Sequence, residues 1–132
     1  MVFERTDGPV GSQRIEAVRG GNFVVGGTAL DGGFLIWPEG LQPVDLHTVS
    51  DLHEDSFAGL SALDVPRDVV LIGSGAEMNW PDFALLKKLR ERGFGPEVMD
   101  SRAAARTYNL LMSEERAVAA LILPLSPSAS SA

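Results

Sequence analysis

The chain has no cysteine, so disulfide scaffolds, thiolate metal sites and cysteine catalysis are all excluded. Long hydrophobic runs are missing too. The longest, residues 117–123, has the length of a strand and falls far short of the ~20 apolar residues that a membrane-spanning helix needs. Basic charge is scarce: 11 Lys and Arg face 18 Asp and Glu, for a net charge of −7. An acidic chain is a poor non-specific partner for nucleic acid or an anionic membrane, so neither is expected, and an integral membrane protein is not expected. Residues 1–12 show no basic segment followed by an apolar one, so no secretory leader is read there and a cytoplasmic location is expected. Histidine is limited to His47 and His53.

What remains is ordinary globular composition, 45% hydrophobic and 22% charged over 132 residues. That length suits one domain, which buries roughly two thirds of its unfolded surface without help from metal or disulfide. Residues 1–12 read as a loose arm. Residues 126–132, all Ser, Ala and Pro, read as a disordered tail. The expectation is a single globular domain over 1–125, folded over about 13–124.

The two halves differ in texture. Eight of the 14 glycines fall in the first 33 residues, three times as pairs: Gly20-Gly21, Gly26-Gly27 and Gly32-Gly33. Between them lie short apolar runs at 15–18, 23–25 and 34–37. Glycine pairs supply the positive φ of tight hairpins, so this half reads as an antiparallel meander. A further strand is expected near 44–49 and a short helix over 56–63, before Pro66.

The second half reads as strand (68–72), helix (81–92), strand (97–99), helix (102–114) and strand (117–123). Pro81 and Asp82 suit a helix start and Gly93 a helix end. Phe83, Leu86 and Leu89 recur at helical spacing, with Leu85 broadening the buried face. Ser101 is the expected N-cap of the second helix. Such alternation implies a parallel βαβαβ unit with right-handed crossovers. The fold expected is α/β: three layers of β+β/α type, a mixed central sheet, an N-terminal antiparallel meander and the C-terminal βαβαβ unit.

Three constellations could carry chemistry. Gly73-Ser74-Gly75 follows a buried strand, where open α/β sheets hold ligands and glycines let backbone N–H groups reach a phosphate. Met78 stands where G-x-G-x-x-G needs its third glycine, and a turn that lets the chain leave the sheet before the helix is the favoured reading of the loop. Next to it, Arg102, Arg106, Asn109 and Ser113 form one polar stripe of the second helix, opposite Ala104, Tyr108 and Leu111. Asp100, Ser101, Arg102 and Arg106 with the glycine loop form a candidate anion site. The alternative is a solvated face with the arginines paired to Asp100 or Glu77. Asp45, His47, Asp51, His53, Glu54 and Asp55 are possible metal ligands or bases, but their spacing fits no defined zinc motif and a solvated loop accounts for them. No metal or cofactor is expected. Trp37 and Trp80, each followed by proline, are core plugs or anchors for a partner.

The runs Asn22-Phe23-Val24-Val25-Gly26, Gly33-Phe34-Leu35-Ile36-Trp37-Pro38 and Leu71-Ile72-Gly73-Ser74-Gly75 combine with the stretch from Glu97 through Asp100-Ser101-Arg102 and Tyr108-Asn109 to Pro124. Over 15–124 the chain resembles the small-protein family that includes the mitochondrial respiratory complex I assembly factor three and the adipogenesis-associated protein of animals. The resemblance implies the three-layer β+β/α fold and a non-enzymatic role with protein partners. It implies no catalytic residue and no cofactor. Ser101 stands where threonine is common in that family, and Glu115 where glycine is common. Two readings follow: a binding or assembly-factor-like protein, or a small-anion binding domain or enzyme that uses the cleft at Gly73–Gly75 and Arg102/Arg106.

Overall fold

A computed structural model describes residues 13–58 and 69–125. The arm expected over 1–12, the tail over 126–132 and most of the helix expected over 56–63 lie outside the described residues.

Two glycine hairpins open the fold. Strands β1 (Ile15–Arg19), β2 (Asn22–Val25) and β3 (Thr28–Ala29) pair antiparallel in that order as a three-stranded sheet. Arg19 lies opposite Asn22 and Val25 opposite Thr28, so each turn has two residues. Their φ values are +59° and +83° at Gly20 and Gly21, and +61° and +81° at Gly26 and Gly27. Positive φ at both central positions is the turn whose twist matches a hairpin's. A Cβ at Gly20, Gly26 or Gly27 would meet nothing, so conformation alone demands glycine there.

The run at 34–37 does not extend this meander. It forms β4 (Gly33–Trp37), which pairs with β5 (Gly40–Val44) and joins a second sheet. That sheet also holds β6 (Val69–Gly73), β7 (Pro96–Met99) and β8 (Val118–Ile122), in the order β5-β4-β8-β6-β7. β6 runs parallel to β7 and β8, while β8 runs antiparallel to β4, so the sheet is mixed as expected. The strand expected at 44–49 lies earlier, over 40–44, and is followed by a 3-10 turn at Val49–Asp51. The Asp51 carboxylate accepts bonds from the N–H groups of His47 and Thr48 at 3.0 and 3.1 Å, which turns the backbone out of the strand. A second 3-10 turn, Glu54–Phe57, occupies the start of the expected helix.

Helix α1 (Phe83–Glu91) is capped by Asp82, whose Oδ1 accepts from Ala84 N–H at 2.9 Å. It ends at Gly93 in the left-handed region (φ +90°), with Gly93 N–H on Arg90 O and Phe94 N–H on Leu89 O. This is the Schellman pattern, and Phe94 and Leu89 share a core. Phe83 departs from expectation: it is 80% exposed, and the buried face is Leu85, Leu86 and Leu89. At 100° per residue, Phe83 lies about a third of a turn from the centre of that face.

Helix α2 (Ser101–Ser113) is capped by Asp100, whose Oδ1 accepts from Ala103 N–H at 2.9 Å. Ser101 is therefore not the cap. It is the first helical residue, fully buried. The helix closes through Glu115 at φ +60°, with Glu115 N–H on Met112 O and Arg116 N–H on Leu111 O. Asn109, expected on a solvated stripe, is 3% exposed and faces inward.

Alternation along the central strands builds the layers. Phe34, Ile36, Leu71, Val118, Ala120 and Ile122 face α2 and the hairpin sheet. Leu35, Val70, Ile72, Ala119 and Leu121 face α1 and the 3-10 turns. No described helix is long and apolar enough to cross a membrane.

Candidate functional site

The carboxyl ends of β6, β7 and β8 meet at the start of α2. Gly73 is required there by proximity: a Cβ would lie 2.9 Å from Ser101 Oγ, 3.0 Å from Ser101 Cα and 3.2 Å from Ala104 Cβ. Ser101 stitches three elements. Its hydroxyl donates to Leu123 O at 2.7 Å and accepts from Gly75 N–H at 2.8 Å, while its own N–H donates to Gly75 O. Ser74 N–H donates to Met99 O. The Ser74 hydroxyl donates to Glu77 O at 2.7 Å and accepts from Asn79 N–H at 3.0 Å. The amides of Ser74 and Gly75, the donors a phosphate would use, are therefore engaged within the fold. An anion at this loop depends on side chains.

Arg102 is half-buried, and its Nε is buried without a hydrogen-bond partner. Arg106, one turn on, is exposed. Neither arginine forms an ion pair with Asp100 or Glu77, both of them described residues. The carboxylate of Asp100 caps the helix instead.

A recess of about 240 Å³ opens beside the glycine loop. It is lined by Ser74, Gly75, Ala76, Glu77, Asn79 and Pro124, and across from them by His47, Thr48 and Val49. Arg102 and Arg106 do not line it. The recess thus brings His47, read from sequence as part of a separate loop, to the Ser74–Gly75 turn. The placement follows from Asp51, whose bonds to the amides three and four residues earlier fold 47–51 back, a local turn that periodicity does not reveal. His47 Nε2 lies 3.3 Å from Asp45 Oδ1, and its Nδ1 is buried without a partner. The backbone donors of His47 and Thr48 hold the Asp51 carboxyl below its ordinary pKa. Ser74 and His47 share the recess, but the bonds of the Ser74 hydroxyl run to Glu77 and Asn79, which is not a nucleophile–base arrangement.

Among the described residues, no three His, Asp or Glu side chains converge as metal ligands. His53 is exposed, and Glu54 pairs with Arg92 at 3.2 Å.

The two tryptophans part company. Trp37 is half-buried against the β4–β5 hairpin, where a Cβ at Gly40 would lie 2.5 Å from its ring. Trp80 is 69% exposed, and Met78 (42%) and Phe83 join it to make an apolar projection at the strand-end face. Helical spacing places Phe83 with the core, whereas the structure leaves it 80% exposed as part of this projection.

A family model described as a protein of unknown function (DUF498/DUF598) matches residues 15–123. The chain is 26% identical over 110 residues to NADH dehydrogenase (ubiquinone) 1 alpha subcomplex assembly factor 3 of Xenopus tropicalis, covering 83% of this chain. It spans only 60% of that relative's length. It is 34% identical over 121 residues to an uncharacterised protein of Rhodobacter capsulatus, covering 92% of both chains. A solution structure of a Bordetella pertussis protein, described as an Mth938-like domain, superposes with a TM-score of 0.77 at 27% identity, covering 93% of this chain and 92% of that one.

Proposed function

The chain belongs to the DUF498/DUF598 family of proteins of unknown function, and from that premise we propose that it is a non-enzymatic, assembly-factor-like protein that acts in the cytoplasm by binding another protein. The observation that carries this reading is the projection of Met78, Trp80 and Phe83. Large apolar side chains this exposed gain free energy when a partner takes them out of water, and aromatics are favoured at the centres of interfaces. The relatives named as complex I assembly factors support the same class of activity. The test compares the wild-type chain with Trp80→Ala/Phe83→Ala, each isolated gently from its own cells and measured by native mass spectrometry. The reading requires a stoichiometric protein partner on the wild type that the variant loses. An unchanged complex would remove these residues from the interface, and a wild type without any partner would remove the reading.

A second reading is a site for a small anion at Gly73, Ser74, Gly75, Asp100, Ser101, Arg102 and Arg106. It is favoured by the unpartnered Nε of Arg102 and by the nearby recess. Because the Ser74 and Gly75 amides are engaged, it needs the two guanidinium groups to supply the charge and donors. A small mass adduct lost in Arg102→Gln/Arg106→Gln supports it. An adduct that survives both substitutions removes it.

A further inference from the structure

The exposed side of α1 is basic on an acidic protein. Lys87 and Lys88 are the chain's only lysines, and with Arg90 and Arg92 they place four of its 11 basic residues within six positions. Arg92 pairs with Glu54. Lys87, Lys88 and Arg90 are exposed and form no ion pair with a carboxylate among the described residues.

Packing fixes which way this charge points. Leu85, Leu86 and Leu89 hold the opposite side of the helix against the sheet. Phe83, Lys87 and Arg90 stand at i, i+4 and i+7, which makes one stripe. Lys87 lies about 6 Å and Arg90 about 10 Å along the axis from Phe83. Trp80 and Met78 precede Phe83 and enlarge its end of the stripe. The surface therefore starts apolar and becomes cationic over two turns.

Two carboxylates narrow what can cover it. Glu77 and Asp82 are exposed beside Met78, Trp80 and Phe83, at the tip an anionic bilayer would have to receive. A lipid surface would meet negative charge at the same point as the aromatic rings. A protein segment can place apolar side chains at the tip and carboxylates only further along.

We propose that Met78, Trp80, Phe83, Lys87 and Arg90 form the docking surface for an acidic amphipathic helix of a partner protein. Its apolar side chains cover Trp80 and Phe83. Its Asp or Glu carboxylates, one and two turns on, face Lys87 and Arg90. This inference rests on the partner-binding reading above and specifies the chemistry of the partner.

The probe is a pair of synthetic helical peptides with the same apolar residues, one with glutamates one and two turns beyond them and one with lysines there. Each is titrated into the full chain labelled with nitrogen-15, followed by NMR. The glutamate peptide is expected to shift the Trp80 indole and the amides of Phe83, Lys87 and Arg90. Affinity should fall by about 10-fold or more for the lysine peptide and for Lys87→Glu/Arg90→Glu, and the lysine peptide should recover on that variant. Equal binding of the two peptides, or shifts confined to another surface, would overturn the proposal. So would sedimentation with phosphatidylglycerol vesicles that depends on Trp80 and Lys87, which would assign the surface to lipid. A photo-crosslinker placed in cells at position 80, 87, 42 or 110 separates the two levels. Capture of acidic segments at 80 and 87 supports the proposal. Capture only at 42 or 110 defeats it and leaves the partner-binding reading standing. No protein captured at any of the four defeats both.

Discussion

Asn109 holds the backbone of Ile15 by both ends of its amide. Ile15 N–H donates to Asn109 Oδ1 at 3.0 Å, and Asn109 Nδ2 donates to Ile15 O at 2.8 Å, across 94 positions of sequence. At the preceding helix position, the Tyr108 hydroxyl donates to Gln13 O at 2.8 Å. Helix α2 thus fastens the first strand of the hairpin sheet through polar bonds inside an apolar layer. Asn109→Ala leaves a buried donor and acceptor unmet and is expected to cost about 3 kcal/mol in urea unfolding. A loss below about 1 kcal/mol would mean that hairpin pairing alone holds β1.

Ser101 and Gly73 are expected to behave as structural residues. Ser101→Ala strands Gly75 N–H and Leu123 O and should cost about 2 kcal/mol. Gly73→Ala drives a methyl into Ser101 and Ala104 and should cost about 1–3 kcal/mol. Both are read by thermal melting of the purified chain. Variants as stable as wild type would show that these contacts are slack and would return the loop to consideration as a ligand cradle.

Glu115 pays a conformational penalty that glycine does not. At φ +60° its Cβ crowds the backbone, and its position is the one a Schellman motif reserves for glycine. Glu115→Gly is expected to stabilise the fold by about 1 kcal/mol and raise the melting temperature by several degrees. An unchanged or lower melting temperature would contradict it.

Asp51 links stability to pH. Bonds from the His47 and Thr48 amides favour its charged form, so its folded pKa lies below its unfolded one. The stabilisation is complete above the ordinary carboxylate range, about pH 4, and is lost as pH falls through the lowered folded value. Asp51→Asn should therefore melt below wild type at pH 7, with the gap narrowing as pH falls below the ordinary carboxylate range. A gap independent of pH would assign the effect to shape rather than charge.

Trp80→Ala/Phe83→Ala is expected to leave stability within about 0.5 kcal/mol of wild type, because neither side chain belongs to a core cluster. A large loss would mean that the projection supports the fold itself.

Local chemistry was readable in the sequence, and long-range partners were not. Gly20-Gly21 and Gly26-Gly27 announced hairpins because two consecutive positive φ angles leave few other residues possible. Gly93 announced the end of α1 for the same reason. The βαβαβ order followed from element spacing. Asp100 displaced Ser101 as the cap because Ser101 had partners in Gly75 and Leu123, which lie 26 and 22 positions away. Asn109 looked like part of a polar stripe because nothing near it in sequence reveals Ile15. His47 looked like a loop residue because its approach to Ser74 depends on how 47–51 folds back. At the candidate site the loop and the two arginines were visible, but the engagement of the loop amides was not.

The position of β8 has a consequence for synthesis. Among the described strands it comes last in sequence, yet it lies between β4 and β6, and each of them pairs with it rather than with the other. On the ribosome the β4–β5 hairpin and the β6–β7 pair can exist only as separate halves, each showing an unfilled apolar edge. They become one sheet when residues 118–122 clear the exit tunnel. Until β8 pairs, the two halves expose apolar edges of the kind that chaperones cover.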